Sequence, residues 1–120
     1  MQTLLLVEDN EASRDALARR LERRNYRVLV AVDGEQAVAI ARAEKPDLIL
    51  MDLGLPGMDG YLLASKLRDE AGLDSARIIA ISGYPENPAL NEASGINGHL
   101  LKPVGLDALK KLLGVPIGGP

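Results

Sequence analysis

Short apolar runs alternate along this chain with longer stretches whose apolar positions recur at helical spacing. Leu4-Leu5-Leu6-Val7, Val28-Leu29-Val30-Ala31, Leu48-Ile49-Leu50-Met51, Ile78-Ile79-Ala80-Ile81 and Leu100-Leu101 are each bounded by turn-forming or charged residues. Such runs read as buried strands. Strands are predicted over Thr3–Glu8, Arg27–Val32, Leu48–Asp52, Arg77–Ser82 and Gly98–Leu101. A helix is predicted over Glu11–Arg24, with Asn10 as N-cap, Ala12, Ala16, Leu17 and Leu21 on one face, and Asn25 ending it. Gly34–Ala43 reads as a helix burying Ala37, Val38 and Ala41. Asp59 caps a helix from about Gly60 to Glu70 with Leu63 and Leu67 inward. A weak helix is expected over Pro88–Ser94, where proline suits the first helical position. A last helix spans Leu106–Leu113, with Leu106, Leu109, Leu112 and Leu113 as its apolar positions.

The first, third and fourth strands are almost uninterrupted apolar runs. That pattern fits strands covered on both faces, hence a parallel sheet between helices. Five β/α units in succession predict a doubly wound α/β fold. Ligands in such folds sit outside the carboxyl ends of the strands. Here those ends carry charge: Glu8-Asp9 follow the first run, Asp52 closes the third, and Lys102-Pro103 follow the fifth. If the strands are parallel neighbours, these carboxylates and the ammonium crowd into one shallow pocket.

Composition narrows the class. The chain has 120 residues, 47% hydrophobic and 26% charged, which suits one domain with one core. With three Tyr and no Phe or Trp, that core must be aliphatic. Cysteine is absent, which removes disulfides and thiolate metal sites. A net charge of -3 is too mild to imply a nucleic-acid or membrane partner. No apolar stretch is long enough to cross a bilayer, and Glu8-Asp9 interrupt any signal-type N-terminal core. The expectation is a soluble cytoplasmic protein with one domain over residues 1–114. A linker-like tail over 115–120 follows.

Asp52 ends an apolar strand before a Gly/Pro loop, so its carboxylate is expected to point into the edge pocket; alone it also reads as a capping aspartate. Adjacent Glu8 and Asp9 repel one another unless a cation sits between them. Hard cations such as Mg²⁺ take carboxylate oxygens together with waters and phosphate oxygens. Lys102 reads either as an exposed turn lysine or as a group that pairs with Asp52 and contacts a phosphoryl oxygen. Ser82 closes the fourth strand, where it serves as a turn serine or as a hydroxyl donor to the same phosphoryl group.

In combination these residues resemble the receiver domain of two-component response regulators, over essentially the whole chain. The motifs are Leu5-Leu6-Val7-Glu8-Asp9-Asn10, the stretch from Pro46-Asp47 through Met51-Asp52 to Asp59-Gly60, then Ser82, then Lys102-Pro103. The resemblance implies a flavodoxin-like (βα)5 fold with strand order 2-1-3-4-5. It implies that Asp52 accepts a phosphoryl group from a histidine of a kinase or phosphotransfer protein, with a downstream protein reading the result. The metal, Mg²⁺ with Mn²⁺ as a substitute, maps to Asp9 and Asp52 directly, to Glu8 through water and to the Gly54 backbone carbonyl. Ser82 and Lys102 map to the switch hydroxyl and the site lysine, and the Lys102–Pro103 bond is expected to be cis. Such a domain signals rather than turns over a substrate, and it neither binds nucleic acid directly nor inserts into a membrane.

Three features depart from the family pattern. His99 stands where the family has Tyr or Phe, which reads as a partly exposed strand histidine or as a pH-sensitive switch residue. The segment from Gly83 to Gly98 carries Pro85, Pro88 and Gly95 and is short, so the fourth helix is expected to be short, displaced or mobile. Arg14, Arg19, Arg20, Arg23 and Arg24 read as a solvated helix face, with Ala12, Ser13 and Ala16 bordering a docking surface. Among rivals, an aspartate-nucleophile phosphohydrolase needs a second Asp two residues after the first, where this chain has Gly54. A pseudo-receiver is disfavoured by the retained Glu8, Asp9, Asp52, Ser82 and Lys102. A flavin-binding electron carrier needs a hydroxyl-rich loop after the first strand that this chain lacks.

Overall fold

The computed structural model describes residues 2–113. Five strands and five helices alternate: β1 (Thr3–Val7), α1 (Glu11–Glu22), β2 (Arg27–Ala31), α2 (Gly34–Glu44), β3 (Leu48–Asp52), α3 (Gly60–Asp69), β4 (Arg77–Ser82), α4 (Pro88–Ser94), β5 (Gly98–Leu101) and α5 (Leu106–Leu113). The strands form one parallel sheet in the order β2-β1-β3-β4-β5, as expected. The first two strands and two of the helices stop one or two residues short of their expected ends, and α2 runs one residue further. The linker-like tail, 115–120, lies outside the described residues.

The apolar runs explain the layering. Side chains alternate across a strand, so consecutive apolar residues feed both faces. Leu5, Val7, Ile49, Met51, Ile78 and Ala80 pack on one side against Ala37 and Ala41 of α2 and Leu63, Ala64 and Leu67 of α3. Leu4, Leu6, Leu48, Leu50, Ile79 and Ile81 pack on the other against Leu17 and Leu21 of α1 and Leu109 of α5. Each fully buried aliphatic side chain contributes roughly 1.5–3 kcal/mol, which no single-faced arrangement could recover from these sequences. Ala12 and Ala16, expected on the inner face of α1, are exposed; Leu17 and Leu21 are buried in the core, with Ala18 packed against it. Both alanines match helical spacing, but the face of α1 that meets the sheet is the one carrying Leu17, Ala18 and Leu21.

The helix starts follow the sequence signals. Asn10, Asp33, Asp59 and Asn87 each accept a hydrogen bond from a first-turn N–H, at 2.9, 2.8, 2.8 and 3.2 Å. Asn25, at φ 66°, turns the chain out of α1. The fourth helix is short, at seven residues, and ends on Gly95 at φ 79°.

Arg68 on α3 was not singled out by its sequence context, yet it joins three segments. Its guanidinium donates to the carbonyls of Leu73 (2.6 Å), Ala76 (2.5 Å) and Gly95 (2.7 Å), and to Asn97 Oδ1 (2.8 Å). The same Asn97 oxygen accepts the Ile78 N–H at 2.8 Å, so the bond network reaches β4. Arg68 thereby fixes the C-terminal end of α4 while leaving its N-terminal end, near the carboxyl edge of the sheet, untied by this residue. Arg68→Ala strips a charged donor from several part-buried carbonyls and is expected to cost about 2–4 kcal/mol. Urea unfolding measures it against exposed Arg23→Ala, which should stay within about 0.5 kcal/mol of the unaltered protein.

Candidate functional site

Parallel pairing brings the βα loops to one edge. Val7 is level with Met51, Asp52 with Ile81, and Ser82 with Leu101, so the residues that follow or close these strands surround one depression. Glu8 extends the β1 line by donating its N–H to Ala31 O at 3.0 Å. Glu8, like Asp52, is only 4% exposed, whereas Asp9 is open to solvent. Lys102 is held in line by its N–H to Ser82 O at 2.8 Å. The Lys102–Pro103 bond is cis, as expected.

Each oxygen of Asp52 has its own donor. Oδ1 accepts the Gly54 N–H at 2.8 Å, and Oδ2 accepts the Lys102 ammonium at 2.6 Å. Lys102 Nζ also lies 3.7 Å from Glu8 Oε1. The short Gly54 hydrogen bond depends on how the loop after β3 folds back. Gly60 allows this, because a Cβ there would come 2.8 Å from the Leu53 Cα.

The charges are unevenly shared. Burial pushes the Glu8 carboxyl up, and the neighbouring Asp52 carboxylate adds to it, from the ordinary 4.5 to about 7. Burial also acts to raise Asp52, but the Lys102 ammonium and the Gly54 N–H outweigh it and hold Asp52 below the usual carboxylate range. Burial opposes the charge on Lys102, yet Asp52 and then Glu8 keep its pKa raised.

Glu8, Asp9 and Asp52 each offer a carboxylate oxygen, and these oxygens lie within 4.8 Å of one another. An all-oxygen, strongly anionic donor set with one member open to solvent fits a hard divalent cation that keeps some of its waters. One ammonium does not neutralise three such carboxylates, so the residues present suit a cation.

The remaining expected site residues sit around this centre. Ser82 and Gly54 line a cavity of about 460 Å³ with Asp52 and Lys102, bordered also by Tyr61, Tyr84 and Pro85. The Ser82 hydroxyl accepts the Tyr84 N–H at 3.0 Å. His99 lies outside that cavity lining. It is partly exposed, and its Nε2 meets Tyr84 O at 3.0 Å. Tyr84 is thus tied at its N–H by Ser82 and at its carbonyl by His99. Tyr61 was missed in the sequence, where an aromatic in a first helical turn carries no signal of what it faces. Arg14 was read as part of a solvated face, but its guanidinium turns back onto the Glu8 and Asp9 carbonyls.

Residues 4–114 match the family model of the response regulator receiver domain. PilH of Pseudomonas aeruginosa is 30% identical over 121 residues, which cover 99% of this chain and 100% of PilH. The receiver domain of the sensor histidine kinase PA1611 of Pseudomonas aeruginosa, solved with a magnesium ion coordinated in its active-site cleft, superposes with a TM-score of 0.81. It is 33% identical, over 92% of this chain and 93% of that one. A chain from the co-crystal of the Saccharomyces cerevisiae histidine phosphotransfer protein Ypd1 with the receiver domain of its downstream response regulator Ssk1 superposes at 0.82. That match is 29% identical over 92% of this chain and 85% of that one. This chain spans only 12–46% of the length of several further curated relatives.

The raised Glu8 pKa has a signed consequence. With divalent ions removed by EDTA, the folded protein holds a proton on Glu8 that the unfolded chain releases above about pH 4.5. The Glu8 contribution to stability therefore falls as pH rises from about 4.5 to about 7 and is flat above. Urea midpoints across that range should show this decline relative to Glu8→Gln, in which the slope from this group is gone.

Proposed function

As this chain belongs to the response regulator receiver domain family and is a receiver domain of two-component signalling, we propose that Asp52 is its phosphoacceptor. One observation carries this reading. A buried carboxylate at the sheet edge has one oxygen held by a backbone N–H and the other by an ammonium, beside two further acids.

Asp52, Asp9 and the Gly54 carbonyl would hold Mg²⁺ directly and Glu8 through water, with Mn²⁺ as a substitute. When bound, the ion would supply charge neutralisation to the phosphoryl oxygens and to the carboxylates around them. Asp52 acts as nucleophile. A carboxylate oxygen forms the new P–O bond as the P–N bond of a phosphohistidine breaks, and its electron pair leaves with the imidazole. The Gly54 N–H orients the carboxylate for this attack. Lys102, freed from Asp52 Oδ2, moves its ammonium to a phosphoryl oxygen. The Ser82 hydroxyl turns to donate to another, releasing the Tyr84 N–H. Tyr84 then keeps its contact with His99 but loses the one with Ser82, and the surface formed by α4 and β5 changes population. The readout is a protein–protein contact. Gly54 leaves the position of a hydrolase's general acid without a side chain, so the product persists as a signal rather than turning over.

The donor is a histidine kinase or histidine phosphotransfer protein. The Ssk1 receiver's complex with Ypd1 supports that class of partner. A cavity of about 450 Å³ beside the site, bordered by Ser13, Ala16, Leu17, Arg20 and Pro103, offers the donor a seat against α1. No described helix is long and apolar enough to cross a membrane. The proposed receiver unit runs over residues 1–114 and acts in the cytoplasm, where such donors present their phosphohistidine.

Incubation with Mg²⁺ and acetyl phosphate is expected to add one phosphoryl mass, lost in Asp52→Asn and with EDTA. An adduct that survives Asp52→Asn defeats the proposal, while steady multiple-turnover phosphate release supports a hydrolase instead. Lys102→Ala should slow adduct formation on the order of 100-fold, as removal of one donor to a developing charge does.

A further inference from the structure

The segment between β1 and α1 leaves two carbonyls outside both hydrogen-bond ladders. β1 ends at Val7 and α1 begins at Glu11. Asn10 O is taken by the Arg14 N–H at 2.9 Å, and the Ser13 N–H goes to the Asn10 side chain. Among the described residues no backbone N–H outside the regular ladders donates to the carbonyl of Glu8 or of Asp9. Both accept instead from one nitrogen, Arg14 Nη1, at 3.2 and 3.4 Å. These are the carbonyls of the two residues whose side chains converge with Asp52.

The direction of that contact matters as much as its existence. The described ion pairs to the acidic cluster come from Lys102, whose ammonium sits on Asp52 Oδ2 and near Glu8 Oε1. Arg14 makes none within 4.0 Å and approaches from the backbone side. A guanidinium stays charged at every working pH and presents donors in a fixed planar fork. It can therefore bridge adjacent carbonyls and offset the repulsion between the acids without taking up any carboxylate oxygen that a cation needs. Lys102 cannot do this, since its charge competes for a ligand oxygen directly.

We infer that Arg14 is a positioning residue for the divalent cation, tying the Glu8 and Asp9 backbone so that their carboxylates converge with Asp52. The inference rests on reading that cluster as the cation site. It distinguishes Arg14 from Arg19 and Arg23 further along the same helix, which are exposed. Outer contacts that orient ligands typically change metal affinity by about tenfold or more.

The test needs no phosphodonor. Mn²⁺ binding to the full chain is followed by electron paramagnetic resonance and Mg²⁺ by competition, with the Mg²⁺-induced rise in melting temperature as a second readout. Arg14→Gln is expected to weaken both ions about tenfold, Arg14→Lys to recover most of the affinity, and Arg23→Gln to change nothing. With acetyl phosphate, Arg14→Gln should raise the half-saturating Mg²⁺ concentration and reach the same rate when saturated. An Arg14→Gln protein that binds the ions like the unaltered chain overturns the inference and leaves the phosphoacceptor reading intact. So does one whose ion-free melting temperature falls while its Mg²⁺ midpoint is unchanged, which assigns Arg14 to folding alone. Failure of the unaltered chain to form an adduct at Asp52, with the Arg14 effect on Mn²⁺ present, defeats the other reading and not this one.

Discussion

Parallel pairing governs the rest of this structure. Parallel strands cannot be joined by tight turns, so each needs a crossover, and the crossovers here are helices. Every strand then ends at the same edge, and every βα loop opens there. Glu8, Asp52, Ser82 and Lys102, which span most of the chain, become neighbours because β1, β3, β4 and β5 all run one way in one sheet. The aliphatic core on both faces makes that sheet rigid, so the edge is a fixed frame on which charge can be arranged.

At that edge the arrangement costs energy, which the fold supplies. Two nearly buried carboxylates stand side by side with a single ammonium between them. The ammonium settles on Asp52, and Glu8 bears the penalty as a raised affinity for protons. The same imbalance gives the site its use. In the proposed function the Lys102–Asp52 bond gives way to an incoming anion, and the excess negative charge attracts a divalent cation. Arg14 sits behind the backbone of Glu8 and Asp9, while Lys102 sits on the Asp52 carboxylate.

The contacts around α4 follow a different geometry from those at Asp52. Tyr84 is held by a hydroxyl at its N–H and by an imidazole at its carbonyl, and only the first of these residues lines the cavity beside Asp52. At the opposite end of α4, Arg68 binds the Gly95 carbonyl and Asn97. At the N-terminal end of this seven-residue helix, Asn87 caps the Leu90 N–H at 3.2 Å and Asn91 donates to Glu86 at 3.1 Å. The short segment after Ser82 and the histidine in place of an aromatic ring, both visible as departures in the sequence, meet where His99 Nε2 contacts Tyr84 O.

Much of this was legible in the sequence. Local patterns fix local structure: apolar runs bounded by turns set the strands, and Asn10 and Asp59 mark helix starts, while the caps Asp33 and Asn87 became visible only in the structure. Charged residues at strand ends pointed to the site, since a doubly wound sheet leaves them no other place to go. Ala12 and Ala16 misled because small apolar residues match helical spacing whether or not anything packs on them. Arg68 and Arg14 gave no signal, because an arginine that donates to backbone carbonyls has no partner residue type to reveal it. Tyr61 was silent for a similar reason, as its place beside the site depends on the turn before α3. The sequence by itself determined the order of elements, the composition of the core and the kinds of charge at the sheet edge, since those depend on neighbours along the chain. Only the tertiary structure decided which oxygen of Asp52 faces Lys102, why Glu8 rather than Asp52 holds the proton, and which arginines leave solvent for the backbone. Those depend on distances of a few ångströms between segments far apart in the chain, which no local pattern encodes.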